Sequence, residues 1–324
     1  AVKEMPLDRQ DGDYYRQKMA EIGIKKVWGG FIDRVDQFDA AFFGLSPRES
    51  ELMDPRQRLL LQTVWEAIED SGHKPADFSH QQMGVFIGAT GSDYWELQQQ
   101  RNQQIDGYTL SGYSTSVIAN RISYLFNFKG PSLVVDTACS SSLVAVHRAI
   151  QSLKTKSCQV ALAGGVNLML SPLFHLALAK GGFLSEDGRC KTFDRSANGY
   201  VRGEGVGIVL LRPLSQALAD GDPIYAVIRG SAENHGGRTN SLTAPSVDSQ
   251  KELLVAAYTE SNIDPDSLSY IEVHGTGTSL GDPIEINALK EEVKQLGAHL
   301  IRPSQMNATS SFNEPFHCLK FQPK

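Results

Sequence analysis

The chain has 324 residues, of which 31 are Lys or Arg and 37 are Asp or Glu, and its formal net charge is −6. This mild acidity provides no basic surface for nucleic acid or an anionic membrane, and an apolar share of 41% excludes a disordered chain. Four cysteines without a C-x-x-C pair argue against a disulfide framework and a structural zinc site. Since no apolar run approaches the about 18 residues of a membrane span or forms a signal core, we expect a cytoplasmic protein.

Short apolar runs alternate with amphipathic helical patterns along most of the chain, which is typical of an α/β fold with buried strands. Strands are predicted at residues 83–89, 133–137, 159–163, 206–211, 224–230 and 269–273. A turn cluster at 220–223 indicates a weak boundary between two strand-rich stretches. The periodic pattern stops after Leu296, so 297–324 are predicted to be a loop or foreign sequence.

Two helices are predicted from the same start signal. Asp54 and Pro55 match an N-cap followed by a proline in the first helical turn, and apolar side chains at helical spacing continue until Gly72, a residue suited to end the helix. Asp282 and Pro283 repeat this signal before a second run of apolar residues at helical spacing. We therefore expect a helix N-cap at Asp54 and another at Asp282.

Cys139 lies where a buried strand pattern changes into a helical pattern. The helix that follows is predicted to place four apolar residues on one face: Leu143, Val146, Ile150 and Leu153. The N–H groups and the positive dipole at a helix N-terminus favour a thiolate and can bind a developing oxyanion. Cys139 is therefore a candidate nucleophile, although a free cysteine is also common as a small buried apolar residue. Cys158 and Cys190 lack this context and are assigned that structural role.

A thiolate nucleophile needs a histidine or a similar partner, and His274 has the strongest local case. It follows the predicted strand 269–273 and opens a loop that contains Gly275, Thr276, Gly277 and Thr278. Loops at strand ends often carry functional side chains in α/β folds, and the two hydroxyls of this loop could bind a polar ligand. The alternative is a turn histidine that caps its own backbone.

Several motifs occur in an order that is specific to one family. They are WGGF at 28–31, FDAAFFG at 38–44, SPRE at 46–49, MDPRQR at 53–58, DTACSSS at 136–142, AGGVN at 163–167, KTFD at 191–194, GYVRGEG at 199–205 and EVHGTGT at 272–278. Through these motifs, from Lys3 to about Leu296, the chain resembles the β-ketoacyl synthase (ketosynthase) domain of modular polyketide synthases.

The resemblance implies a thiolase-like fold of two similar α/β halves, each with a five-stranded sheet. It assigns 1–296 to a ketosynthase domain, with the first half at about 1–222 and the start of the second half at about 223–296. The family's first strand and the C-terminal part of its domain have no counterpart in the sequence, so the second half is expected to be incomplete and 297–324 stay unassigned. Pairing as a homodimer is also implied.

The same resemblance implies an acyltransferase that elongates acyl chains by decarboxylative Claisen condensation. Cys139 matches the nucleophile that takes an acyl chain from acyl carrier protein, and His274 matches the first of two histidines that bind the thioester carbonyl of a malonyl-type extender. Thr276 and Thr278 match residues that contact the phosphopantetheine arm. Acyl carrier protein and other polyketide synthase domains are the expected partners, and no bound metal or cofactor is expected.

The sequence departs from the family pattern at its C-terminal end. Nothing in 297–324 matches the Lys-Ser/Thr-Asn-x-Gly-His segment of the family's second histidine, and neither His299 nor His317 has the surrounding residues. Because the loss of one oxyanion donor lowers kcat by about 10²–10³, we expect poor condensation by these 324 residues alone.

Three hypotheses about function follow. The chain is an incomplete or frame-disturbed copy of a condensing ketosynthase, or it is a homologue that binds acyl carrier protein or holds an acyl thioester without elongating it. A third hypothesis is a cysteine hydrolase built on Cys139 and His274. Acylation needs only an activated thiolate and one oxyanion site, whereas hydrolysis also needs water at the thioester.

Overall fold

The computed structural model describes residues 2–9, 12–24, 26–100, 105–295 and 306–308. Its strands are β1 (Val2–Glu4), β2 (Trp28–Gly30), β3 (Met83–Gly88), β4 (Ser132–Val135), β5 (Val160–Asn167), β6 (Arg202–Gly203), β7 (Gly205–Leu211), β8 (Ile271–Val273) and β9 (Met306–Ala308). Its helices are α1 (Gly12–Ile22), α2 (Pro47–Leu52), α3 (Pro55–Asp70), α4 (Tyr94–Gln100), α5 (Thr109–Tyr113), α6 (Thr115–Phe126), α7 (Ser141–Lys154), α8 (Leu173–Lys180), α9 (Leu214–Asp220), α10 (Val247–Ser261) and α11 (Gly281–Gln295). The predicted tail 297–324 lies outside the described residues, apart from β9.

The described residues form two units. The first, which we call the cysteine unit because it contains Cys139, consists of Phe31–Ser171 and Glu204–Val227. The second, the histidine unit, contains His274 and consists of the described residues within 2–30, 172–203 and 228–308.

The cysteine unit contains a four-stranded sheet with the strand order β4-β3-β5-β7. Strand β3 is parallel to β4 and β5, and β7 is antiparallel to β5. These strands correspond to the predictions at 83–89, 133–137, 159–163 and 206–211, with β5 continuing to Asn167. The five strands that the resemblance implied for a half are represented by four among the described residues of this unit.

Side chains of β3 alternate between the two faces of this sheet. Both faces are therefore apolar, and helices cover both of them. Val85 and Ile87 pack with residues of α3 and α6 in one apolar cluster. Phe86 points to the opposite face and packs with Ala145 and Ala149 of α7 in a second cluster. The sheet is therefore the middle layer of an α/β/α arrangement, and α7 follows β4 directly on one face.

Both predicted helices are present, as α3 and α11, but only the N-cap at Asp54 is confirmed. The side chain of Asp54 caps α3 by accepting a hydrogen bond from the Arg56 N–H group at 2.9 Å, and Pro55 is in the first turn. The prediction of an N-cap at Asp282 is wrong, because α11 begins one residue earlier, at Gly281. The Asp282 carboxylate is engaged with other segments of the backbone.

The strand predicted at 224–230 is wrong. These residues have irregular structure, and Ile224, Tyr225 and Ile228 are exposed. A strand needs a neighbouring strand for its N–H and C=O groups, and no described strand pairs with this segment. The apolar pattern of 224–230 is that of a strand, but within the described residues no neighbouring strand is available to pair with it.

The histidine unit contains two small sheets. Strand β2 pairs antiparallel with β1 and parallel with β6, and β8 pairs parallel with β9. Helix α10 packs against α11. Strand β8 ends at Val273, so His274 begins the loop that follows, as the sequence predicts. In neither unit does the described part of the chain include a helix that is both long and apolar enough to span a membrane.

Candidate active site

Cys139 lies in a tight turn between β4 and α7. After β4 ends at Val135, residues Ala138–Ser140 form a single 3₁₀ turn and α7 begins at Ser141. Ala138 has a φ angle of 56°, a left-handed conformation that is costly for a residue with a Cβ atom. This turn leads the backbone from the sheet into the helix and leaves Cys139 exposed.

The start of α7 keeps its positive electrostatic character. The N-cap side chain of Ser140 makes no capping hydrogen bond to the helix, and the first turn contains no acidic residue. The Ser140 hydroxyl instead donates to the Thr137 carbonyl at 3.0 Å, and the Asp136 carboxylate accepts from the Ala138 N–H group at 3.2 Å. A helix N-terminus of this kind stabilises negative charge, so the turn is suited to a thiolate and to an oxyanion.

The other two cysteines within the described residues lie in different environments. Cys158 is buried in the second apolar cluster, and burial raises the pKa of its thiol. The Cys190 sulfur accepts a hydrogen bond from the Val201 N–H group at 3.2 Å. The position of Cys158 agrees with the role of a small buried apolar residue, whereas Cys190 is only partly buried.

The His274 loop is anchored by a carboxylate of α11. One oxygen of Glu285 accepts a hydrogen bond from the His274 N–H group at 2.7 Å, and the other accepts from the Gly275 N–H group at 2.9 Å. Hydrogen bonds to an ionised acceptor are roughly twice as strong as those between neutral groups. Glu285 therefore fixes the backbone of the exposed His274, a role that sequence reasoning missed.

Asp282 ties the same loop to a neighbouring segment of the histidine unit. Its buried carboxylate, which is 4% exposed, accepts from the Gly277 N–H group at 3.0 Å and from the Phe193 N–H group at 2.7 Å. In the same region the Thr192 hydroxyl donates to the Gly275 carbonyl at 2.5 Å, and the Gly199 N–H group donates to the Gly277 carbonyl at 2.9 Å. These bonds explain why Asp282 does not cap its own helix.

Thr276 and Thr278 lie in this loop with half-buried side chains. Their hydroxyl oxygens are 2.9 Å apart, and the Thr278 hydroxyl accepts a hydrogen bond from the Gly281 N–H group at 3.0 Å. The hydroxyls thus take part in shaping the loop and in starting α11. Contact of either residue with phosphopantetheine stays a prediction.

The predicted site residues are divided between the two units. His274, Thr276 and Thr278 share one loop of the histidine unit, whereas Cys139 belongs to the cysteine unit. Within the described residues, no group of three or more His, Cys, Asp or Glu side chains could hold a metal ion. Glu285 belongs to the predicted helix start at Asp282, a pattern that indicates helix capping, so no sequence signal separates its role in the loop 274–278.

The α/β fold thus carries an exposed cysteine at a strand-to-helix turn and a histidine loop at a strand end. The family model "Beta-ketoacyl synthase, N-terminal domain" matches residues 1–217, and "Beta-ketoacyl synthase, C-terminal domain" matches residues 225–309. The chain belongs to the β-ketoacyl synthase family.

Its curated relatives are polyketide synthases. The chain is 49% identical over 300 residues to polyketide synthase PksN of Bacillus subtilis. The aligned residues make up 92% of this chain and 6% of that protein. It is 49% identical over 294 residues to polyketide synthase ThaG of Burkholderia thailandensis, covering 89% of this chain and 5% of that protein. The chain therefore spans a small part of these relatives.

Solved ketosynthases share the fold. The ketosynthase from module 6 of the bacillaene synthase of Bacillus subtilis 168 matches with a TM-score of 0.80 and 41% identity, over 91% of this chain and 49% of that chain. The oxazolomycin ketosynthase domain OzmH KS7 of Streptomyces albus matches with a TM-score of 0.81 and 41% identity, over 91% of this chain and 51% of that chain. The predicted thiolase-like α/β fold is confirmed, and the chain spans about half the length of these ketosynthases.

Proposed function

We propose that the chain acts as an acyltransferase in polyketide chain elongation, with Cys139 as the nucleophile of a decarboxylative Claisen condensation. The observation that carries this proposal is the exposed Cys139 at the start of α7 in a chain of the β-ketoacyl synthase family. Because the chain spans only part of its relatives, its activity, substrates and partners all belong to the proposal.

The first step of the proposed reaction loads Cys139. Its thiolate attacks the carbonyl carbon of an acyl thioester on acyl carrier protein, and the carbonyl oxygen becomes an oxyanion near the N-terminus of α7. The bond to the phosphopantetheine sulfur then breaks, and that sulfur leaves as a thiolate that takes up a proton. The acyl group stays on Cys139 as a new thioester.

The second step forms the carbon–carbon bond. A malonyl-type extender on acyl carrier protein loses CO₂, and the resulting enolate attacks the acyl carbonyl on Cys139, which releases the Cys139 sulfur. The proposed role of His274 is to donate a hydrogen bond to the extender's thioester carbonyl, where negative charge develops. The Glu285 anchor supports this role, because it fixes the backbone that carries the imidazole.

The proposal also covers the partners of the chain and the compartment in which it acts. Thr276 and Thr278 are proposed to contact the arm, and the half-buried hydroxyls of the histidine loop support this. Other polyketide synthase domains are proposed partners, because the curated relatives are whole polyketide synthases. A reducing cytoplasmic compartment would keep the exposed Cys139 thiol available.

The first prediction concerns acyl loading. When the chain is incubated with an acyl thioester of acyl carrier protein, intact-mass spectrometry should detect one added acyl group, and Cys139→Ala should abolish it. Cys190→Ala is the matched control and should load normally, because the Cys190 sulfur already accepts a hydrogen bond from a backbone N–H group. Unchanged loading of Cys139→Ala would contradict the proposed nucleophile.

Adding a malonyl-carrier protein to the loaded chain separates the three hypotheses. A β-ketoacyl product supports condensation, whereas a stable acyl adduct without product supports a non-condensing homologue that holds the thioester. Release of free acid at the rate of loading supports a cysteine hydrolase.

A further inference from the structure

Ser141 ties together the backbone on both sides of Ala138. Its hydroxyl oxygen accepts a hydrogen bond from the Thr137 N–H group at 2.9 Å, and the same hydroxyl donates to the Ala138 carbonyl at 2.6 Å. The residue is only 5% exposed. One buried hydroxyl thus uses both its donor and an acceptor position to close the turn that contains Cys139.

The turn needs such a tie because Ala138 has a positive φ angle of 56°. Strained residues of this kind persist only where several contacts hold them in place. The hydrogen bonds of the Asp136 carboxylate and the Ser140 hydroxyl hold the turn less firmly. Both residues are exposed, so water competes for these hydrogen bonds. Ser141 supplies the one buried side chain in the described turn 136–141.

The position of α7 does not depend on the Ser141 hydroxyl. A Cβ atom on Gly88 would lie 2.5 Å from the Ser142 nitrogen, and one on Gly165 would lie 2.9 Å from the Ser142 Cβ atom, so the helix start sits directly on the sheet. Ala145 and Ala149 continue this contact along α7. Removal of the Ser141 hydroxyl is therefore expected to relax the turn while the helix stays in place.

We infer that Ser141 is a positioning residue for Cys139: its two hydrogen bonds hold the Ala138 turn so that the thiol stays beside the N–H groups at the start of α7. The inference rests on the proposed role of Cys139 as the nucleophile. It assigns to the second serine after Cys139 the task of keeping the sulfur in the field that favours a thiolate.

The experiment measures the rate of Cys139 alkylation by iodoacetamide from pH 5 to pH 10, with the modified peptide quantified by mass spectrometry. For Ser141→Ala we expect the rate at pH 7 to fall about tenfold and the midpoint of the pH profile to rise by about one unit. Ser142→Ala removes an exposed hydroxyl one residue further on, keeps its Cβ atom, and should leave the profile unchanged. Ser141→Thr keeps the hydroxyl and should retain the wild-type midpoint.

A merely structural role would lower the thermal unfolding temperature of Ser141→Ala without moving the pH midpoint, and that result would overturn the inference. A Ser141→Thr variant that is folded but has the midpoint of an ordinary thiol would also overturn it, even if Ser141→Ala does not fold. If the wild-type midpoint already lies near the ordinary cysteine value of about 8.5, the turn does not favour the thiolate and the inference is overturned. Failure of the proposed nucleophile is a separate outcome, which would appear as unchanged acyl loading of Cys139→Ala.

Discussion

His175 is a titratable residue that the proposed chemistry does not use. It lies on α8 with 2% of its surface exposed, and its Nδ1 atom has no hydrogen-bond partner among the described residues. Burial, followed by the charge of Arg202, lowers the pKa of His175 from 6.5 to about 3. The folded protein therefore keeps this imidazole neutral at pH values where the unfolded chain would protonate it.

This difference predicts acid sensitivity. Between pH 6.5 and about 3 only the unfolded state binds the extra proton, so the free energy of unfolding falls as the pH falls, by about 1.4 kcal/mol per unit from this group. His175→Phe should remove this contribution, and urea unfolding should show roughly 2 kcal/mol less loss of stability between pH 7 and pH 5. His235→Phe, a change at an exposed histidine, should keep the wild-type dependence. Equal pH dependence of the wild type and His175→Phe would contradict the prediction.

The loop 274–278 shows which residue roles sequence patterns can predict. The position of His274 after a strand followed from local periodicity alone. The roles of Asp282 and Glu285 did not follow from local periodicity, because both carboxylates accept from backbone N–H groups of residues that precede the helix. One of the partners of Asp282, the Phe193 N–H group, is also far away in sequence. A carboxylate near a helix start matches a local capping pattern equally well, so only the folded loop distinguishes binding of the loop from capping of the helix.

At the scale of elements, α7 packs through its small residues. The sequence analysis expected an apolar face that included Leu143, but Leu143 is 75% exposed while Ala145 and Ala149 are fully buried. The close approach of the helix to Gly88 and Gly165 leaves no room for a leucine between helix and sheet. The prediction of the helix was correct, and that of its buried face was wrong at Leu143.

This packing predicts a steric cost at Gly88. In Gly88→Ala the new methyl group would meet the backbone of α7 at 2.5 Å, so we expect a loss of about 1–3 kcal/mol in the free energy of unfolding, measured with urea. Gly205→Ala in β7 of the same sheet is the control, since a Cβ atom there has nothing within 4 Å. A loss for Gly205→Ala equal to that for Gly88→Ala would show that the helix contact is not the cause.

At the scale of the whole molecule, the homodimer that the family resemblance implies stays a prediction, and it can be tested at β4. This strand is at one edge of its four-stranded sheet, and an uncovered edge can pair with another chain. Leu133 on β4 is exposed, and Tyr124 on the adjacent α6 is 80% exposed. These features support a second copy of the chain as the partner at this edge.

If the edge mediates pairing, Leu133→Lys should convert a dimer into a monomer in sedimentation velocity at micromolar concentration, because a charge on an edge strand opposes pairing. Leu218→Lys on α9 introduces the same charge at another exposed leucine and should leave the dimer intact. A wild-type chain that is monomeric under these conditions, or a Leu133→Lys variant that stays dimeric, would refute pairing through β4.

The sequence by itself determined the α/β class, the family, the cysteine at a strand-to-helix turn and the histidine at a strand end, because each of these depends on residues that are adjacent in the chain. Only the tertiary structure decided that 224–230 form no strand, that Leu143 faces outward, and that the Asp282 and Glu285 carboxylates hold the histidine loop. Those features depend on which segments become neighbours, and periodicity along one segment does not contain that information.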